Sequence, residues 1–243
     1  ADRDWLWLKG ATLFGLWMNA EHRPTRDADF LGFGSIDSAA FGHLVARVTA
    51  IPCDDGIEFD SESIVVEEIR EEARYGGLRA KLVGNLARAR CTLQLDVGYG
   101  DAVTPGPEEI RLPTLLEDLP APQLKGYPRA TVAAEKLEAI VHLGMTNTRM
   151  KDFYDLHALA REAAIDPEQL GRAIAATFTR RQTPLPTDIP VGLSWAFSRD
   201  ESRRRLWLAF LERNRLDGPP LDEVVDDLAR FVRDPLARAR RSS

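Results

Sequence analysis

Arg23-Pro24-Thr25-Arg26-Asp27-Ala28-Asp29-Phe30 is the stretch around which the chain is best read. Upstream lies Lys9-Gly10-Ala11-Thr12-Leu13-Phe14-Gly15-Leu16-Trp17, a glycine turn running into Leu13, Leu16 and Trp17 at helical spacing. The order predicted is turn, helix, loop, then an Asp-x-Asp pair entering a short buried strand through Phe30, Leu31 and Phe33. Residues two apart on an extended backbone share a face. Asp27 and Asp29 can therefore offer both carboxylates to one hard cation, which favours oxygen ligands. A magnesium ion held this way suits the handling of nucleotide phosphates. The competing reading is a turn or capping pair, since Asp is common at turns.

Outward from this stretch, the first helix is expected to break near Glu21, before Pro24. Ser35 or Asp37 can cap a second helix reaching Thr49, which Pro52 ends. Strand-like stretches follow at 57–59, 64–69, 78–86 and 91–97, with Gly76-Gly77 as a turn between two of them. Such close connections predict hairpins, and hence a mixed or antiparallel sheet. Pro105, Pro107, Pro113, Pro120, Pro122 and Pro128 mark a linker-like stretch. Helices are predicted at 131–143, 152–162, 167–177, 202–213 and 221–232, with Asp166-Pro167 as a helix start. The fold class read from this order is α+β, a mixed sheet with flanking helices followed by a helical domain. The boundaries are 1–126 for the first domain and 127–243 for the second.

Composition sets the class. The chain has 243 residues, is 44% hydrophobic and 29% charged, and carries a net charge of −6. These values fit a soluble protein with a real core and exclude uniform attraction to nucleic acid. No apolar run approaches a membrane span. The acidic, polar start Ala1-Asp2-Arg3-Asp4 does not read as a secretory signal, and the missing Met with the abrupt entry into Trp5-Leu6-Trp7-Leu8 suggests a start that has been trimmed or lies downstream of the natural one. The two cysteines, Cys53 and Cys91, cannot build a disulfide framework. Cys91 reads as a small core residue, and a cytoplasmic location is the simplest fit. The four histidines, His22, His43, His142 and His157, show no zinc spacing. Basic runs at Arg180-Arg181, Arg203-Arg204-Arg205 and Arg238, Arg240, Arg241 could bind phosphate or simply face solvent.

Further candidates lie downstream. In Thr92-Leu93-Gln94-Leu95-Asp96-Val97, alternation puts Asp96 on a polar strand face, either merely exposed or as a third carboxylate; Asp101 is a second acid nearby. Lys136 falls among Val132, Leu137 and Ile140 on an inward helical stripe and needs a partner there, unless it snorkels at the stripe's edge. Glu135, Glu138 and His142 take the outer face. Asp152 and Asp155 share a face in the first turn of the next helix, where acids also suit the helix dipole. Arg149 and Lys151 could reach phosphate or these acids. Lys9, Gly10 and Thr12 could cradle phosphate at a helix start, although no P-loop is present.

Four blocks together resemble the AbiEii/AbiGii nucleotidyltransferase toxin family of type IV toxin–antitoxin systems. They are Leu8-Lys9-Gly10-Ala11-Thr12-Leu13, the Arg23-Pro24-Thr25-Arg26-Asp27-Ala28-Asp29 stretch, Leu95-Asp96-Val97-Gly98-Tyr99-Gly100-Asp101, and Ala134-Glu135-Lys136-Leu137-Glu138-Ala139 continuing to Arg149-Met150-Lys151-Asp152-Phe153-Tyr154-Asp155-Leu156. The resemblance implies a DNA polymerase beta-like nucleotidyltransferase fold with a C-terminal helical domain completing the active site. It implies Mg2+ or Mn2+ as cofactor, a nucleoside triphosphate as substrate, an RNA acceptor, tRNA in some members, and a cognate antitoxin. By position, Asp27, Asp29 and Asp96 would hold the metal, and Lys9, Gly10, Thr12, Thr25, Lys136 and Lys151 would bind the nucleotide. Asp152 would be the essential acid of the last motif, with Lys136 and Asp155 beside it in the catalytic set. Gly10-Ala11-Thr12 departs from the usual Gly-Gly or Gly-Ser at the first turn. A protein acceptor, or a binding module without catalysis, are the alternatives. Asp27→Asn is expected to abolish transfer, and Lys136→Met to weaken triphosphate binding with little loss of stability.

Overall fold

The computed structural model describes residues 5–18, 22–25, 27–34, 37–70, 76–114, 118–162 and 164–242. Ala1 to Asp4, Glu21 and Ser35, on which parts of the sequence reading rest, lie outside the described residues. The fold is mixed α+β. The chain forms two compact units, one of Ala1–Leu13, Thr25–Asp101 and Glu109–Gly126, the other of Phe14–Pro24, Ala102–Glu108 and Tyr127–Ser243.

The first unit is built on a seven-stranded sheet among the described residues. Its strands are β1 (Leu6–Lys9), β2 (Asp27–Gly32), β3 (Ile57–Arg70), β4 (Gly76–Leu86), β5 (Ala89–Tyr99), β6 (Glu108–Arg111) and β7 (Gln123–Gly126), in the order β3-β4-β5-β2-β1-β7-β6. The pairs β3–β4, β4–β5 and β1–β2 are antiparallel, whereas β2–β5 and β1–β7 are parallel. Alternation explains the faces. Phe30, Leu78, Ala80, Leu82, Leu93, Leu95 and Val97 pack on one face beneath Phe41, Leu44 and Val45 of α2 (Ser38–Thr49). That helix starts where the Asp37 side chain accepts the Ala40 N–H at 2.7 Å. The opposite face therefore receives the alternate, polar residues of β2, β4 and β5.

Several local expectations are corrected here. The first helical segment is short, a 3-10 turn at Gly10–Leu13 followed by α1 (Phe14–Trp17). Phe33 lies just past β2, 41% exposed, with its ring 4.3 Å from that of Trp7. The two strand-like stretches before residue 70 are one long strand with an irregularity between Asp60 and Val65. Gly76 and Gly77 are not a turn but the first residues of β4, paired with Arg70 and Ile69. A Cβ on Gly77 would stand 2.8 Å from the Val97 carbonyl oxygen, so close strand packing selects glycine there. The proline-rich stretch is not a plain linker, since β6 and β7 extend the sheet from within it. Cys91 is exposed rather than core, at the end of β5 next to the hairpin.

The second unit is helical: α3 (Arg129–Leu143), α4 (Met150–Glu162), α5 (Pro167–Arg181), α6 (Trp195–Arg199), α7 (Glu201–Asn214) and α8 (Leu221–Ser242). Asp166 caps α5, with Pro167 in the first turn where its missing N–H is harmless. Helix α8 runs past the expected end at Val232 and through Pro235. Leu236 and Ala239 continue its buried stripe, and that burial outweighs the proline penalty. Lys136 is half-buried, its side chain turned toward Asp152 and Asp155, while Glu138 is buried, contrary to the outer face assigned to it. Its oxygens accept from Arg181 at 2.9 Å and from the Thr183 hydroxyl at 2.5 Å.

Candidate active site

Strand register gathers the acids of the first unit. In β2 against β5, Asp29 stands opposite Asp96 and Asp27 opposite Gln94. Next to them Lys9 of β1 is opposite Asp29, and Arg79 of β4 is opposite Asp96. One row across the sheet thus reads Arg79, Asp96, Asp29, Lys9, and a second reads Lys81, Gln94, Asp27. Oxygens of Asp27, Asp29 and Asp96 all lie within 4.8 Å of one another; among the described residues this is the one cluster of acids, histidines or cysteines so arranged. Like charges at this separation repel unless a cation lies among them. The donors are all carboxylate oxygens, the set a hard divalent cation takes. Ligands about 2.1 Å from magnesium stand no more than about 4.2 Å apart, so small side-chain rotations would close the cluster on the ion. The residues present therefore fit magnesium or manganese.

Neighbouring groups set these carboxylates. Arg79 donates from Nε to Asp96 Oδ1 at 2.8 Å and from Nη2 to Oδ2 at 2.6 Å, while Gln94 Nε2 reaches Oδ2 at 3.1 Å. The hydrogen bond to Asp96 raises the Arg79 pKa further, against the opposing effect of its burial. The Thr25 hydroxyl donates to Asp27 Oδ1 at 2.9 Å. Gly10 has φ +74, and a Cβ there would fall 2.2 Å from Asp29 Oδ2. Only glycine leaves room for that carboxylate. Lys9 is buried and donates from Nζ to Asp101 Oδ2 at 2.7 Å. Thr12 sits half-buried in the 3-10 turn.

The second unit holds a separate ionic network. Asp155, fully buried, accepts from Arg23 Nε at 2.7 Å and Nη2 at 2.8 Å, pairs with His22 Nε2 at 2.8 Å, and meets Lys136 Nζ at 2.6 Å. Asp152, 2% exposed, accepts from Lys136 at 3.1 Å and from Arg149 Nε at 2.7 Å. Burial works against the Lys136 charge, but the carboxylates of Asp155 and Asp152 prevail and hold its pKa above the usual lysine value. Burial likewise opposes ionisation of both aspartates, yet Lys136 first, then Arg149 for Asp152 and His22 and Arg23 for Asp155, keep them below the usual carboxylate range. The Phe14 ring lies 5.9 Å from Lys136 Nζ and stacks on His22 at 4.3 Å.

The residues singled out in the sequence thus fall into two groups, one in each unit. Lys151 is exposed, and its charge acts on Asp152 only after those of Lys136 and Arg149. Arg79, Gln94, His22 and Arg23 were not foreseen as partners of the acids. For Arg79 a signal existed: it alternates with Leu78 and Ala80 on the polar face of its strand. His22 and Arg23 meet Asp155 more than 130 residues away in sequence, which no local pattern reveals. Two of the basic runs serve the fold in part: Arg181 joins Glu135 and Glu138, and Arg238 joins Glu168 and Asp234.

No curated protein matches. Two solved structures share the fold: JHP933 from Helicobacter pylori, with TM-score 0.54, 19% identity, and coverage of 98% of this chain and 86% of that one; and an H. pylori chain assigned as a nucleotidyltransferase, with TM-score 0.52, 19% identity, and coverage of 98% and 89%. At that identity the likeness concerns the fold. A family model described as nucleotidyl transferase AbiEii toxin, type IV toxin–antitoxin system, matches residues 1–230. With nearly its whole length so matched, the chain is a nucleotidyltransferase and belongs to the AbiEii toxin family.

Proposed function

We propose that this protein transfers a nucleotide from a nucleoside triphosphate to an RNA acceptor, tRNA, in a reaction that depends on magnesium or manganese. The observation that carries the reading is the Asp27, Asp29 and Asp96 cluster on one sheet face. A divalent cation bound there would neutralise phosphate charge as it develops in transfer. Thr25 orients Asp27, Gly10 leaves space for Asp29, and Arg79 holds Asp96. Lys9 supplies positive charge beside Asp29 and exchanges Asp101 for a phosphate oxygen; Thr12 and the Gly10 turn support that end of the nucleotide. In the second unit, Lys136 and Asp152 serve the reaction and Asp155 fixes Lys136. No helix among the described residues is long and apolar enough to cross a membrane, and the cytoplasm supplies the triphosphate and RNA that the reaction uses. Membership of a type IV toxin–antitoxin family supports a cognate antitoxin as partner, and an RNA acceptor is the reading proposed with it.

The test uses triphosphates labelled on the α-phosphate, with tRNA or with lysate protein. The expected result is label in tRNA, dependent on divalent cation and absent with Asp27→Asn. Label confined to protein, or transfer indifferent to chelation, contradicts the proposal.

A further inference from the structure

We infer that Arg79 is the positioning residue of the carboxylate cluster, limiting Asp96 to a single ligand oxygen, Oδ1, and trimming the charge that attracts free cation. This rests on the metal-dependent reading above. Each carboxylate oxygen can accept about two hydrogen bonds or metal contacts. Arg79 Nη2 and Gln94 Nε2 occupy both positions on Asp96 Oδ2, whereas Arg79 Nε takes one on Oδ1. One position therefore remains, on Oδ1. The planar arginine fork fixes the rotation of the carboxylate about its bond in a way a point charge cannot. Asp96 stands beside Asp29 in register, so that rotation decides whether Oδ1 meets the other two acids. Arg79 also sets one formal positive charge against the three carboxylates of the cluster.

Charge and geometry then separate by substitution. Arg79→Met removes the positive charge and the fork. Manganese binding without nucleotide, followed by calorimetry, should tighten on the order of tenfold, because one nearby positive charge is gone. Turnover at saturating manganese should nevertheless fall by roughly tenfold or more, because Asp96 is no longer held. Arg79→Lys keeps the charge and loses the fork: manganese affinity should stay within about twofold while turnover still falls. A role confined to folding would lower both together. Unchanged or weaker manganese binding in Arg79→Met, or parental turnover in either variant, overturns the inference. Should Arg79→Met fail to fold, Arg79→Lys decides through turnover alone. Asp27→Asn is the control: parental manganese affinity there removes the metal reading itself, whereas lost affinity with parental Arg79 variants removes only this inference.

Discussion

Asp155 in the helical unit and Asp29 in the sheet unit are the same side chain under opposite conditions. Asp155 is fully buried, with Arg23, His22 and Lys136 converging on it. Asp29 is half-buried and stands within 4.8 Å of two further carboxylates. The first arrangement brings three cationic or hydrogen-bonding groups to one acid and locks it in place. The second brings three acids together, one of them held by Arg79, in the arrangement of oxygens that a divalent cation takes. An acid compensated inside the fold is costly to strip of its partners, whereas acids gathered against one another repel and persist for what they bind. Asp152 lies between the extremes, buried yet sharing Lys136 and facing the half-exposed Arg149.

The largest effect expected is on transfer. Asp27→Asn should lower it by more than about a hundredfold while leaving the melting temperature at or slightly above the parent's, since repulsion is relieved. A variant that melts early would break the contrast. Next comes Asp155→Ala, which strands Arg23, takes from Lys136 its nearer carboxylate and should cost about 3–5 kcal/mol in denaturant unfolding. Parental stability there would mean the network is not structural. Lys136→Met should also be strongly destabilising, by about 3 kcal/mol or more, because it uncovers two buried carboxylates. This revises the sequence-based expectation of little stability loss. Asp152→Ala should be inactive but folded, with a smaller loss of about 1–2 kcal/mol, because Lys136 keeps Asp155.

The pH dependence sharpens the same contrast. Asp155 and Asp152 ionise below the usual carboxylate range, so their stabilisation is fully present above that range and is lost as pH falls through and below it. Lys136 titrates above the usual lysine value, so its share is present below that value and is lost only at higher pH. Thermal stability should therefore hold level from about pH 5 to about pH 10 and fall on the acid side. In Asp155→Ala that acid-side fall should shrink.

Much of this architecture was legible because it follows local rules. Strands β4 and β5 were readable from Leu78, Ala80 and Leu82, and from Leu93, Leu95 and Val97, each alternating with polar residues. Asp27, Asp29 and Asp96 were each readable as polar-face residues, and Lys136 as a lysine within an apolar stripe. Register was not readable. That β2 lies parallel to β5, bringing Asp29 opposite Asp96, depends on tertiary pairing rather than on any local pattern. The β4–β5 hairpin turns on Ala87-Arg88, with Ala87 at φ 52, so the glycine or asparagine that normally marks such a turn is missing. Strands β6 and β7 are four residues each and flanked by prolines, too short for their alternation to register.

The central claim is that the sheet cluster, not the helical one, receives the cation. Calorimetric titration of manganese into the nucleotide-free protein, alongside Asp27→Asn and Asp152→Asn, tests this most directly. The account predicts a site that is lost in Asp27→Asn and kept in Asp152→Asn. Binding that survives Asp27→Asn but disappears in Asp152→Asn would contradict it.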